Sequence, residues 1–461
     1  MAALQLFILC VVLNMVLSSS QQIITTLPGF DGDLPFKLET GYIGVGQNDD
    51  VQLFYYFIES ERSPEDDPLV LWLSGGPGCS GFSGLVFEIG PLSFDYEKSK
   101  VNLPKFLLNP YSWTKVANII FLDAPVGTGF SYANTWQGYI MNDTLSAAQN
   151  YYFLRKWLIA HPSFLANPLY IGGDSYSGII VPMIVQHISD GIDVGHRPRM
   201  NLKGYLLGNP LTDSTENQNS VPHFAYLNAL ISHEIYEVNS LFISTFQSNH
   251  FISFYSFQSA KRNCQGEYVN VDPSNGLCIA DLENITECIS RVNHAQIYEP
   301  SCRGPFISPR RKLFNWNRSI IEEDSLDFLS SPTQPAASGT WCRFHNYVYS
   351  YIWANDKTVQ RAIGVQEGTV KYWVRCNQSL SYTKDVSSSL AYHRNLIKKG
   401  YQVLIYSGDV DMKVPYVATE AWIKSLNLTI ETGWQPWFVE GQVAGEQVIQ
   451  LQSTNLRSVL E

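Results

Sequence analysis

The chain of 461 residues has no long run of lysine and arginine, and its 31 basic side chains are outnumbered by 42 acidic ones for a net charge of −11. That balance argues against nucleic acid and anionic membrane surfaces as partners, and its plainest meaning is solubility. No two cysteines stand in C-x-x-C spacing, so the usual ligand pattern of a zinc or dithiol site is missing and no metal or cofactor is implied. No G-K-[ST] of a phosphate-binding loop occurs. The apolar stretch Leu4 to Leu17 is short for a bilayer span, so no stable membrane insertion is expected. No histidine follows His393.

What is present is a globular composition, 45% hydrophobic, of a length that fits an α/β core with an inserted subdomain. Residues 1–20 read as a signal peptide, an apolar core followed by the small-residue stretch SSSQQ with cleavage near Ser20. Five N-x-[ST] sites, Asn142, Asn284, Asn317, Asn377 and Asn427, agree with passage through the secretory pathway. Eight cysteines are present, and setting aside Cys10 in the leader leaves seven, which in an oxidising compartment predicts three bridges and one thiol.

The stretch that organises the rest is LYIGGDSYSGIIVP, Leu169 to Pro182. An apolar run ends at Ile171 and another begins at Ile179, so the chain leaves a strand and enters a helix through one tight turn with Ser175 at its apex. This is the spacing of a nucleophile elbow, although Ser177 stands where the last glycine of G-x-S-x-G would be. A glycine and serine cluster between apolar runs also suits an ordinary loop. Upstream, Val51 to Glu59 and Pro68 to Leu73 read as strands, the second running into SGGPGCSG, Ser74 to Gly81. Gly75 and Gly76 would let bare N–H groups face a substrate, as an oxyanion hole requires, whereas Pro77 removes a donor that a phosphate loop would use.

Val116 to Leu122 is a third strand leading into DAPVGTGFSY, and Tyr151, Leu154 and Leu158 recur at helical spacing over Asp143 to Ala160, capped by Asn142 or Asp143. Leu202 to Asp213 gives another strand and polar loop. The alternation predicts a mostly parallel sheet flanked by helices over residues 21–213. Residues 214–347 are loop-rich, hold Cys264, Cys278, Cys288, Cys302 and Cys342, and end in an exposed linker, Arg303 to Thr340. They read as an insertion covering the active-site end of the sheet, with a surface excursion of no function as the alternative. The pattern resumes over 348–445 with a helix at Ser389 to Lys399 and a strand at Val403 to Tyr406, which places Asp409 and Asp411 in the loop beyond it. A carboxylate after a late strand is where an α/β-hydrolase keeps the acid that orients its histidine.

WLSGGPGCSG, DAPVGTGFSY, GDSYSG and YSGDVDMKVP, in this order, resemble the motifs of the plant serine carboxypeptidase-like proteins, and the resemblance runs from Ile24 to Gly445. It implies an α/β-hydrolase fold with an inserted lid, Ser175 as nucleophile, Asp411 as the triad acid, and the N–H groups of Gly76 and Tyr176 as the oxyanion hole. It also implies the disulfides Cys79 with Cys376, Cys264 with Cys278, and Cys302 with Cys342, leaving Cys288 unpaired. An extracellular or vacuolar destination follows from the secretory features.

Three departures bear on activity. Carboxypeptidases of the family hold a peptide's terminal carboxylate with an Asn and a Glu where this chain has Ser74 and Asp174. GDSYSG and GFSGLVFEIGPLSF look like the acyltransferase branch that takes 1-O-β-glucose esters, so the expected substrate is an acyl glucose ester, with release of C-terminal residues from peptides as the alternative. The family's catalytic histidine follows a segment like WFVEGQVAG, but here Trp437 to Gly445 leads into an atypical tail, 446–461, without one. His393 reads as a surface or structural residue. The tail is expected to lack the terminal strand and helix, leaving a sheet edge open, as in the product of a truncated or alternative transcript. A non-catalytic secreted binding glycoprotein is the remaining alternative.

Overall fold

A computed structural model describes residues 21–99, 103–236, 260–299, 301, 346–451 and 455–460. The leader, the linker 303–340, Cys302, Cys342 and Asn317 lie outside the described residues. The strands that form the main sheet are β1 (Gln21–Thr26), β2 (Asp33–Val45), β3 (Val51–Ile58), β4 (Leu69–Leu73), β5 (Asn118–Leu122), β6 (Leu169–Asp174), β7 (Leu202–Gly208), β8 (Gln402–Ser407), β9 (Thr429–Val439), β10 (Gln442–Leu451) and β11 (Asn455–Leu460). Their order is β1-β2-β3-β5-β4-β6-β7-β8-β11-β10-β9, with the short strand Tyr132–Ala133 added on β3.

The middle of the sheet is parallel, β5 through β8 and on to β11. Both flanks are antiparallel. The expected mostly parallel sheet is therefore a mixed one, because β1 to β3 and β9 to β11 are joined by connections too short for a crossover helix. Alternation along each central strand divides the core. Val51, Leu53, Tyr55 and Phe57 of β3 join one cluster, and Phe54, Tyr56 and Ile58 join the other. Both faces are covered, which is why these strands are apolar throughout.

Helix α1 (Asp143–Ala160) and helix α2 (Ser177–Asp193) pack on the first face. The Asn142 side chain caps α1 by accepting from Leu145 N at 2.7 Å, and Tyr151, Leu154 and Leu158 are buried as their spacing implies. Helix α3 (Ser214–Leu227) opens the insertion, its first turn capped by Asp213, which accepts from Thr215 N and Glu216 N at 3.1 and 2.9 Å. Farther on lies α4 (Gly276–Ile289). The segment expected to be loop-rich thus carries helices around a core of its own, in which Phe224, Tyr236, Tyr268 and Ile285 pack with Met412 and Val417 from beyond β8.

Helices α5 (Leu390–Lys398) and α6 (Tyr416–Ser425) flank β8 in the chain, and two shorter helices, Val348–Asn355 and Lys357–Ala362, precede them. The expectation that the tail lacks a terminal strand is corrected. β11 pairs parallel with β8 from Val403 opposite Leu456 to Ser407 opposite Leu460, and β10 pairs with β11 on its other side. The unpaired N–H and C=O groups along β8 are a template that the tail fills, so the open edge moves outward to β9.

Candidate active site

Ser175 lies between the end of β6 and the start of α2 with φ at +56°, the left-handed region that a non-glycine residue rarely occupies. The surrounding backbone holds it there: Ser175 N donates to Gly208 O at 3.0 Å, and Ser175 O accepts from Gly178 N at 3.0 Å and Leu211 N at 2.8 Å. The turn therefore has the strained geometry of an elbow. Ser177 fits where a glycine was expected because its hydroxyl turns inward and donates to Leu73 O at 3.1 Å.

The glycine loop after β4 comes directly against this turn. A Cβ on Gly75 would stand 2.6 Å from Ser175 Cβ and 2.9 Å from its Oγ, so only glycine permits the approach. Gly76 adopts φ +117°, which no L side chain takes without strain. The far end of the loop is anchored three ways. Cys79 is bonded to Cys376, Ser80 N donates to Arg375 O at 2.8 Å, and Ser80 Oγ and Gly81 N donate to the buried Asp123 at 2.5 and 2.9 Å. The other Asp123 oxygen accepts from Phe130 N at 2.8 Å, so one carboxyl ties together the SGGPGCSG and DAPVGTGFSY loops.

Beneath the loop lies an acidic pair. Asp174 accepts from Gly75 N at 3.1 Å, and Glu88 accepts from Trp72 Nε1 at 2.9 Å. Glu88 keeps an exposed side and Asp174 is half-buried; desolvation where they face the protein raises both carboxyls, Glu88 further because the Asp174 charge adds to it, and the Arg375 guanidinium opposes the rise in each. Glu88 is a residue that the sequence alone did not single out, and its signal was one acid within the apolar run GLVFEIGPL.

Asp411 lies in the loop beyond β8, two strands over from Ser175 at the same end of the sheet. One of its oxygens accepts from Lys413 N and Val414 N at 2.7 and 3.2 Å, and the other from Asn209 Nδ2 at 3.0 Å. Desolvation nonetheless pushes its pKa up to about 7. Among the described residues no histidine hydrogen-bonds Asp411 or Ser175. Asp409 is exposed and apart from this network. The insertion reaches the same loop, since His294 O accepts from Met412 N at 2.8 Å and Lys413 N at 3.0 Å.

Tyr176 is buried, and its hydroxyl donates to Asp143 at 2.7 Å; Tyr382 donates to the same oxygen at 2.8 Å and Val386 N to the other at 2.9 Å. Ser74 is buried too, its hydroxyl turned into the protein. His393 is structural and not on the surface. It is fully buried, bonded through Nδ1 to the Tyr205 hydroxyl at 2.7 Å and packed on Trp422, and desolvation lowers its pKa to about 3. Cys264 is bonded to Cys278, and Cys288 is exposed and free. Among the described residues no group of acidic, histidine and cysteine side chains could hold a metal ion, and no helix is long and apolar enough to cross a membrane.

Comparison with known proteins supplies the remaining findings. The family model described as serine carboxypeptidase matches residues 28–458. Serine carboxypeptidase-like 17 of Arabidopsis thaliana is 43% identical over 442 residues, 96% of this chain and 88% of that protein. Serine carboxypeptidase-like 1 of the same plant is 44% identical over 442 residues, 95% and 88% of the two chains. Among solved structures, a prohormone-processing carboxypeptidase from Saccharomyces cerevisiae superposes with a TM-score of 0.67 over 92% of this chain and 87% of its own, at 18% identity, which speaks to the α/β-hydrolase fold alone.

Proposed function

Because the chain belongs to the serine carboxypeptidase family, we propose that it works through an acyl-serine at Ser175, cleaving C-terminal residues from peptides. The observation that carries this reading is the Ser175 turn, held at φ +56° against the Gly75–Gly76 loop. In the reaction, Ser175 Oγ attacks the scissile carbonyl and the N–H groups of Gly76 and Tyr176 receive the oxyanion. The C–N bond breaks and the leaving amine takes the proton given up by the Ser175 hydroxyl; in a second step water attacks the ester, its hydroxyl completes the released acid and its other proton returns to Ser175 Oγ. The Asp174–Glu88 pair supports a peptide C-terminus as substrate. A carboxyl whose pKa is raised takes up a proton more readily and can then donate to a carboxylate, which an ionised one would repel. The helical insertion, meeting the Asp411 loop through His294 and Met412, would act as a lid over this end of the sheet.

Two further readings rest on particular observations. The buried Ser74 hydroxyl and the short Asp174, already bonded to Gly75 N, leave less of a carboxylate clamp than Asn and Glu would. This favours transfer of the acyl group from a 1-O-β-glucose ester to an alcohol or amine. Secondly, Asp411 is bonded to amides and Asn209 in place of an imidazole. That favours binding without turnover, since loss of the histidine base from the subtilisin triad costs about 10⁶ in rate.

Mass spectrometry after exposure to a fluorophosphonate serine probe separates these readings, with Ser175→Ala as control. Labelling confined to Ser175 is expected. Release of C-terminal amino acids by the labelled protein would then select the peptidase reading, and acyl transfer from glucose esters the second. A folded protein that takes no label has a binding role only. The two described disulfides are consistent with the oxidising secretory pathway in which either role would be exercised.

A further inference from the structure

Behind the glycine loop, between it and helix α1, lies a cavity of about 20 Å³, the space of one water molecule. Ser74 and Gly75 form one side, Ser146 and Asn150 of α1 another, and the rings of Tyr176 and Tyr382 a third. Its polar chemistry is unusual. Asn150 is 1% exposed, and its Nδ2 donates to Ser146 O at 2.8 Å, which fixes the orientation of the amide and aims Oδ1 away from its own helix. Oδ1 is fully buried with no protein hydrogen-bond partner, and so is the Ser74 hydroxyl oxygen.

An amide oxygen only accepts, so whatever meets Asn150 Oδ1 must carry a hydrogen to donate. Ser74 has one, yet the two side chains are not hydrogen-bonded to each other. Buried polar groups are very seldom left unsatisfied, and two that line a single water-sized cavity are met together by one bridging molecule. Larger guests are excluded by volume. A bare cation is disfavoured because the polar residues of the lining are neutral hydroxyls and one amide, and no carboxylate lines it.

We propose that Ser74 Oγ and Asn150 Oδ1 jointly hold one ordered water molecule, which tethers the start of the glycine loop to helix α1. The water donates to Asn150 and shares the second bond with Ser74, whose hydroxyl can donate or accept. The tether adds to the fastening of the loop's near end. Its far end is held by Cys79, Ser80 and Gly81, while its near end, Ser74 to Gly76, has the Asp174 bond to Gly75 N and this bridge. The inference stands apart from the chemistry assigned to Ser175, because it concerns how the loop is held and not what the loop does.

A high-resolution crystal structure of the full chain, with amide hydrogen exchange on the same preparation, tests it. The expected result is one density peak about 2.8 Å from both oxygens, the length of a water hydrogen bond and longer than a metal contact. In Asn150→Leu, which keeps the bulk and removes the acceptor, the peak should vanish. Exchange in a peptide covering residues 74–81 should quicken at least ~10-fold, as expected when a tether is lost from a segment that opens locally, while a peptide from β1 is unchanged. If that variant fails to fold, Ser74→Ala should show the same direction of change in the loop peptide. A wild-type cavity without the peak, a peak at metal distance, direct contact between Ser74 and Asn150, or unchanged exchange in a folded variant would each overturn the proposal.

Discussion

The hydroxyl of Tyr176 donates to the buried carboxylate of Asp143 at 2.7 Å, tying the residue after Ser175 to the first turn of α1. Two consequences join there. The helix N-terminus favours the negative charge, and the charge fixes the residue whose N–H is proposed to receive the oxyanion.

Tyr176→Phe removes one of three donors to Asp143 and should cost about 1–2 kcal/mol in urea denaturation. Asp143→Leu should cost more, since it leaves Tyr176, Tyr382 and Val386 N without their acceptor. Equal midpoints for the two variants would contradict this ranking.

Stability should decline as pH rises from about 4 to 7. Asp123 is fully buried and desolvation raises its pKa to about 7, so the folded chain binds more protons than the unfolded chain between the ordinary aspartate value and that point. Its contribution to stability is therefore greatest in acid and is lost with rising pH. Asp123→Asn should flatten the profile of denaturation midpoint against pH, and an unaltered slope would remove Asp123 as its cause.

The two described disulfides should differ in worth. Cys79–Cys376 spans 297 residues and Cys264–Cys278 spans 14. Loop-closure entropy puts their stabilisation at about 5–6 and about 3 kcal/mol. Paired Cys→Ala replacement at each, compared by denaturant midpoint, should show the larger loss at Cys79–Cys376. That replacement should also slow serine labelling, because it frees the loop facing Ser175.

Gly75→Ala places a methyl 2.6 Å from Ser175 Cβ. A forced shift of the nucleophile by about 1 Å is enough for a ~10²-fold fall in the rate of fluorophosphonate labelling. Circular dichroism on the same sample should remain native, and an undiminished rate would show that the close approach is dispensable.

Of the described sequons, Asn427 should carry a glycan and Asn377 should not. Asn427 is exposed on a turn after α6, whereas the Asn377 amide nitrogen donates to Gly127 O at 2.8 Å. Mass spectrometry before and after enzymatic deglycosylation reports the occupancy of each.

Much of the site was legible because its demands are local. An elbow needs small residues around a serine at fixed offsets, and strands buried on both faces need continuous apolar runs; GDSYSG, VQLFYYFI and PLVLWL carry these signals within a few residues. The cap at Asn142 and helices α1 and α5 follow from equally short patterns. Glu88 was not legible as a site residue, because its partner Asp174 is 86 positions away and one acid in an apolar run does not say what it faces.

By itself, then, the sequence determined the central α/β elements, the Ser175 turn and the glycine loop, through rules acting over a few residues. Only the tertiary structure decided the pairing of the tail along β8, the burial of His393, the amides and Asn209 around Asp411, and the electrostatic interaction of Asp174 with Glu88. Each of those depends on desolvation or on an edge left open by distant strands, quantities set by what surrounds a residue in space and not by its neighbours along the chain.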